Sequence, residues 1–221
     1  MTLWKTREAA LECLGSSMAA EAQVLEETFE IVDECVHALE DFEKPFPLAC
    51  GLTLVKARNL ALGSYSLALD GLAQEAGALL RPLLETLELL AYLRLEPSRA
   101  DEFVDERLPK AGEIAKRIDS KFGNVREFLN THSSHFAPTH HALAHLVDLK
   151  DLRFRTQQLS DPTLLRRNLQ FIFAVFVWVA IEGVNCVSVN ADAVQHGLAD
   201  RVKELKARGL SLFDAPFGPI S

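Results

Sequence analysis

The chain has 221 residues, of which 48% are apolar and 24% charged, enough to bury one sizeable core and too apolar for a disordered chain. Its 23 Lys and Arg against 31 Asp and Glu leave a formal charge of −8, which excludes a broad nucleic-acid-binding surface but not a local basic site. Cys13, Cys35, Cys50 and Cys186 are far apart and form no CxxC pair; a chain of this size needs no disulfides, and reduced thiols in a cytoplasmic protein are expected.

Met1–Leu14 carries Lys5, Arg7, Glu8 and Glu12 and no apolar run of the kind a secretory leader needs. Lys5 to Phe42 shows a helical stripe, Leu11, Leu14, Met18, Ala22, Leu25, Phe29, Val32, Val36 and Leu39, with a weak point at Gly15-Ser16-Ser17. Pro45 and Pro47 end that segment. A second helix is expected over Leu48–Leu69, with Leu52, Val55, Asn59, Leu62 and Ser66 along one side, closed by the turn signal Asp70-Gly71.

Gln74–Leu95 is apolar round most of its circumference and reads as the central helix. Its one polar line is Gln74, Arg81, Glu85, Glu88 and Tyr92, within which Arg81 and Glu85 are four apart and can pair. Pro82 either kinks a continuous helix, the preferred reading, or opens a helix near Arg81. Beyond Pro97, Ser98 and Asp101 resemble a helix cap with an acid in the first turn. Short helices are expected through Glu106, over Lys110–Ser120, and from a capping-box-like Asn124/Glu127 start. His132–Thr139 reads as a loop, and Pro138-Thr139 opens a helix through about Leu149.

Ser160-Asp161-Pro162 is the strongest start signal, an Asp cap with Pro at the first helical position. The helix it opens contains FIFAVFVWVAI. Its charge-free run from Asn168 to Ile181 is shorter than the roughly 20 residues of a membrane span, so a second core helix is expected and no membrane contact. Within it Glu182 and Asn185 must find partners if they point inward, and an Arg81–Glu182 contact is predicted. A last amphipathic helix, Ala191–Arg208, should end at Gly209 before a loose tail. No strand or internal repeat is expected. The chain reads as one all-α domain over 1–210, a bundle of four to five long helices with short inserted ones, and a flexible tail over 211–221. Two helices this apolar leave room for an extra buried face, which makes a homodimer the expected assembly.

Five of seven histidines fall in His132–His145. Arg126 followed after five residues by His132 resembles the Arg-x(4–6)-His motif of HEPN domains, all-helical nucleases and nucleotide-binding modules of bacterial defence systems. The resemblance implies a metal-independent ribonuclease, with His132 as general acid or base at a ribose 2′-hydroxyl and Arg126 stabilising phosphate charge. RNA or a nucleotide would be the partner. Glu127 departs from the small polar residue this family favours after the Arg, and the two side chains share a face only if the helix ends between them. More widely, Leu-Leu-Arg-Pro-Leu-Leu-Glu in the central helix and Phe-Leu-Asn-Thr-His-Ser-Ser-His further on look like a group of uncharacterised bacterial helical proteins, over about Leu48–His145. That resemblance implies a cleft lined by Arg81, Glu85, Asn130 and His132; His135 and Glu182 are further candidate binding residues. A metal pair at His141 and His145, four apart, is the third reading; without HExxH or an acidic ligand set, no metal or cofactor is expected. The preferred function is a binding or interaction module with a polar cleft, in a bacterial defence or stress setting, and the ribonuclease is the alternative.

Overall fold

The computed structural model describes residues 3–131, 146–148, 151–154, 161–190 and 197–213. Among them are nine α-helices and one small hairpin, an all-α bundle. Helix α1 is Leu3–Ser17 and α2 is Ala19–Ala38. They part at Met18, whose φ of −130° and ψ of 28° leave the helical region, next to the expected weak point. The Ser16 and Ser17 hydroxyls donate back to the carbonyls of Glu12 (2.7 Å) and Cys13 (3.2 Å), local bonds that compete with a continuing helix. The break also rephases the stripe: Leu14, Met18, Leu25, Val32 and Leu39 are buried, whereas Leu11 faces solvent.

Helix α3 is Pro45–Leu69. Pro45 and Pro47 therefore open it as well as closing what precedes, because a first turn has no use for their missing N–H groups. Its inner face is made of small residues, among them Ala49, Cys50, Ala57, Ala61, Ser64 and Ala68, and the predicted line of Leu52, Val55 and Leu62 points outward instead. Small side chains on the inside let α3 lie close to its neighbours. Leu79 of the next helix, for example, comes within 3.0 Å of where a Cβ on Gly63 would be. Gly71, at φ 75°, turns the chain into α4, Ala73–Leu95. That helix is continuous through Pro82, as preferred, and buries Leu80, Leu83, Leu84, Leu87, Leu90 and Leu93.

A 3₁₀ turn, Pro97–Arg99, follows, then α5 (Ala100–Val104), α6 (Ala111–Arg117) and α7 (Gly123–Leu129). Neither predicted cap forms: Ser98 bonds the Glu96 carboxylate at 3.4 Å, and Asn124 lies inside the first turn of α7. Two short strands, Val147–Asp148 (β1) and Arg153–Phe154 (β2), pair antiparallel where no strand was expected. A two-residue ladder is too short to show as alternation in the sequence.

Helix α8, Pro162–Val189, begins as predicted: the Asp161 carboxylate accepts from the N–H groups of Thr163 (2.7 Å) and Leu164 (3.2 Å). It is the one described helix long and apolar enough to cross a membrane, and most of that stretch is packed inside the bundle, against α2, α3 and α4. Helix α9 is Leu198–Leu212, started after Gly197 at φ 100°. It does not stop at Gly209. That glycine is buried inside the last turn of the helix, where the Phe173 ring occupies the place of a side chain. The helix expected from Pro138-Thr139 through about Leu149 does not extend over Val147–Asp148, which form β1; its part up to 145, the loop over 132–139, the expected Ala191 start of the last helix and the tail beyond 213 lie outside the described residues.

Candidate functional site

On α4, Arg81, Glu85, Glu88 and Tyr92 stand four, three and four residues apart and share one face. What covers that face is the short-helix segment between α4 and the described end of α7. Glu88 is 2% exposed, a carboxylate that can be buried only if it is bonded. The Ser120 hydroxyl donates to its Oε1 at 2.6 Å, and the Arg126 guanidinium bonds its Oε2. The Ser120 oxygen in turn accepts the Phe122 N–H at 3.3 Å. Arg126 also reaches Glu85 Oε1 at 3.7 Å, and Arg81 Nε donates to the same oxygen at 3.4 Å. Arg81, Glu85, Arg126 and Glu88 thus alternate in sign along one chain of contacts, buried at the Glu88 end. At the other end Arg81 and Glu85 are 35% and 31% exposed.

One turn along from Glu88, the buried Tyr92 hydroxyl donates to Glu102 Oε2 and accepts from Arg117 Nη1, both at 2.9 Å. The Arg99 guanidinium lies over its ring, 4.2 Å from the centroid, and donates to the Tyr92 carbonyl at 3.1 Å. Burial, and then the Glu102 carboxylate, hold the phenol above its ordinary pKa. The polar line of the central helix is therefore the seat on which α5, α6 and α7 are fastened.

Arg81, Glu85 and Arg126, three of the predicted site residues, come together. Asn130 follows the last α-helical residue of α7, four residues after Arg126, and its Oδ1 is buried with no hydrogen-bond partner among the described residues. The α-helical part of α7 ends at Leu129, but the backbone stays helical: Asn130 has φ −62° and ψ −45°, and Asn130 and Thr131 continue as a π turn, so the helix end that a shared face for Arg126 and His132 requires does not occur among the described residues. His132 and His135 themselves, like His141 and His145, lie outside the described residues.

Glu182 belongs elsewhere. The predicted Arg81–Glu182 contact does not form; Glu182 Oε2 accepts from Arg94 Nε at 2.6 Å, and its Oε1 from Arg94 Nη2 at 3.4 Å. Arg81 is thirteen residues before Arg94, about 20 Å along a helix, and Glu182 stands level with the C-terminal end of α4. The hydrogen bond to Glu182 raises the Arg94 pKa. The partners Ser120, Arg117, Glu102 and Arg99 escaped the sequence reading. Each is an ordinary polar residue in a short helix or turn, and the one signal was that a buried Glu88 and Tyr92 had to be satisfied by something.

Among the described residues no group of three His, Cys, Asp or Glu side chains could hold a metal ion. Cys35, Cys50 and Cys186 are buried free thiols. Burial pushes Cys35 up to about 12, and the Cys186 thiol donates to the Leu90 carbonyl at 3.9 Å. Their raised pKa makes the Cys35 and Cys186 thiols poor nucleophiles. No family model, no curated protein and no solved structure matches the chain.

Proposed function

We propose that the protein is a binding or interaction module whose ligand-facing part is the half-exposed Arg81–Glu85 end of the α4 polar line, together with Asn130. The observation that carries this reading is the orphaned acceptor. A buried amide oxygen without a partner among the described residues costs free energy, and one helical turn beyond Arg126, itself bonded to Glu88, it marks where a further donor is wanted. On α4 the Arg81 fork, held through one long Nε contact, offers donors at the half-exposed end of the polar line. Such a site suits a polar ligand or a partner's polar side chain.

The HEPN-type ribonuclease is the second reading, and it rests on the resemblance carried by Arg126 and His132 with five residues between them in the sequence. Against it stands the state of Arg126: 20% exposed and bonded to two carboxylates, it is a cation already neutralised rather than one aimed at a phosphate. A cytoplasmic place in bacterial defence or stress rests on the family resemblance.

Incubating purified protein with mixed structured RNA in EDTA, beside His132→Ala, tests the choice. The module reading expects no cleavage, or equal traces from both proteins. Cleavage that survives EDTA and vanishes in the variant would replace it with the nuclease.

A further inference from the structure

Between Asp105 and Asn124 the chain buries a single side chain, Ile114; Leu108, Ile118 and Phe122 are only partly covered. Its hold on α4 is polar, through Arg117 on the Tyr92 hydroxyl and Ser120 on the Glu88 carboxylate. Both corners of the stretch are non-glycine residues in the left-handed region, Glu106 at φ 56° and Asp119 at φ 48°. They close α5 and α6 through the bonds Arg107 N–H to Glu102 O (2.8 Å) and Ser120 N–H to Ala115 O (2.9 Å), in the geometry that normally favours glycine.

The balance of an opening follows from these contacts. Lifting the stretch uncovers one buried aliphatic side chain, Ile114, and the partly covered Leu108 and Ile118 on its own side. Glu88, Tyr92, Arg117 and Ser120 exchange protein partners for water, and such an exchange costs little for each bond. A segment with few buried apolar contacts belongs to the low-stability end of a structure. The α8 side of the same central helix is different, because separating it would expose a row of leucines.

We infer that Glu106–Lys121 is a strap that opens from α4 as a unit, uncovering the Tyr92 hydroxyl and the Glu88 carboxylate. The uncovered groups continue the Arg81–Glu85 face, so the strap sets how much of the polar line a ligand can reach. The opening holds whether or not the cleft binds anything; only its consequence for ligand access rests on the proposed function.

Native-state hydrogen exchange on the full chain, read by mass spectrometry, tests this. Amides of α6 should exchange at least about tenfold faster than those of α4 and α8. Arg117→Ala and, separately, Tyr92→Phe remove the same bond from opposite sides, and each should speed exchange of α6 about fivefold while α8 and α9 stay as in the wild type. The inference is overturned if α6 exchanges as slowly as α8, if neither variant accelerates it, or if acceleration spreads to every helix alike. RNA cleavage and ligand binding play no part in these readouts, which keeps them separate from the fate of the cleft reading.

Discussion

Gly209→Ala should destabilise the protein although it replaces the poorer helix former by the best one. In an open helical position the exchange gains roughly 0.5–1 kcal/mol. At Gly209 an added Cβ would lie 2.0 Å from Phe173 Cζ and 2.1 Å from Cε1, far inside ordinary contact, and one or both groups must move by more than an ångström. The ring has little freedom. Phe173 is buried and packs against Phe213 with centroids 5.5 Å apart, and it sits in α8, the helix on which the rest of the core is assembled. Overpacking of this kind costs about 1–3 kcal/mol, outweighing the propensity gain. The net loss, up to about 2.5 kcal/mol, should lower the melting temperature by up to about 10 °C, at roughly 2–4 °C per kcal/mol for a domain of this size. Gly15→Ala is the control, since nothing lies within 4 Å of its added Cβ in α1, and it should leave stability unchanged or raise it by up to about 1 kcal/mol. Urea and thermal unfolding followed by circular dichroism measure both. Phe173→Leu shortens the offending side chain, so the double variant should lose less than the two single losses combined. A Gly209→Ala protein as stable as the wild type would refute the close packing of α9 on Phe173.

Three further outcomes follow from other contacts. Arg126→Met leaves the Glu88 carboxylate buried with only Ser120 beside it and should cost about 3–5 kcal/mol in urea unfolding, with much of the loss recovered when Glu88→Leu is added. Glu106→Gly and Asp119→Gly relieve left-handed backbone at φ 56° and 48°, and each should stabilise by about 0.5–1 kcal/mol in the same assay. Cys35 titrates near 9.0 when unfolded and is pushed up to about 12 in the fold by burial; its contribution is therefore complete below pH 9 and is lost as pH rises from 9 toward 12. Stability measured across that range should fall by as much as about 1.4 kcal/mol per pH unit from this group, and Cys35→Ala should flatten the slope.

Much of the fold was legible because strong local signals agreed with periodicity. The Asp161-Pro162 start, the Asp70-Gly71 turn and the apolar girth of Gln74–Leu95 each stand in the structure within a residue or two. Misreadings arose where a distant contact set the outcome. Gly209 looks like a helix stop, and only the Phe173 ring makes it an interior residue. The leucines of α3 look like its core face, yet its alanines are what let it approach α4 and α8. The site was half legible. The α4 polar line could be drawn from 3.6-residue spacing, and the Arg81–Glu85 pair with it. Its covering partners could not, since Ser120 and Arg117 have nothing local to distinguish them, and Glu182 was assigned the wrong arginine because spacing along one helix says nothing about the level at which another crosses it.

The position of α8 in the chain has a consequence for synthesis. The helices that it completes, α2, α3 and α4, are all made by Leu95, but the element that fills the space among them ends only at Val189. At about 5–20 residues per second a ribosome needs roughly 5–20 s to cover that interval. Throughout it α3 and α4 can pair with each other, but the sides of α2, α3 and α4 that α8 covers have no partner to bury them. Nascent chains of this protein must therefore spend many seconds as an open three-sided trough, the stage at which a chaperone or a neighbouring nascent chain competes with the native core.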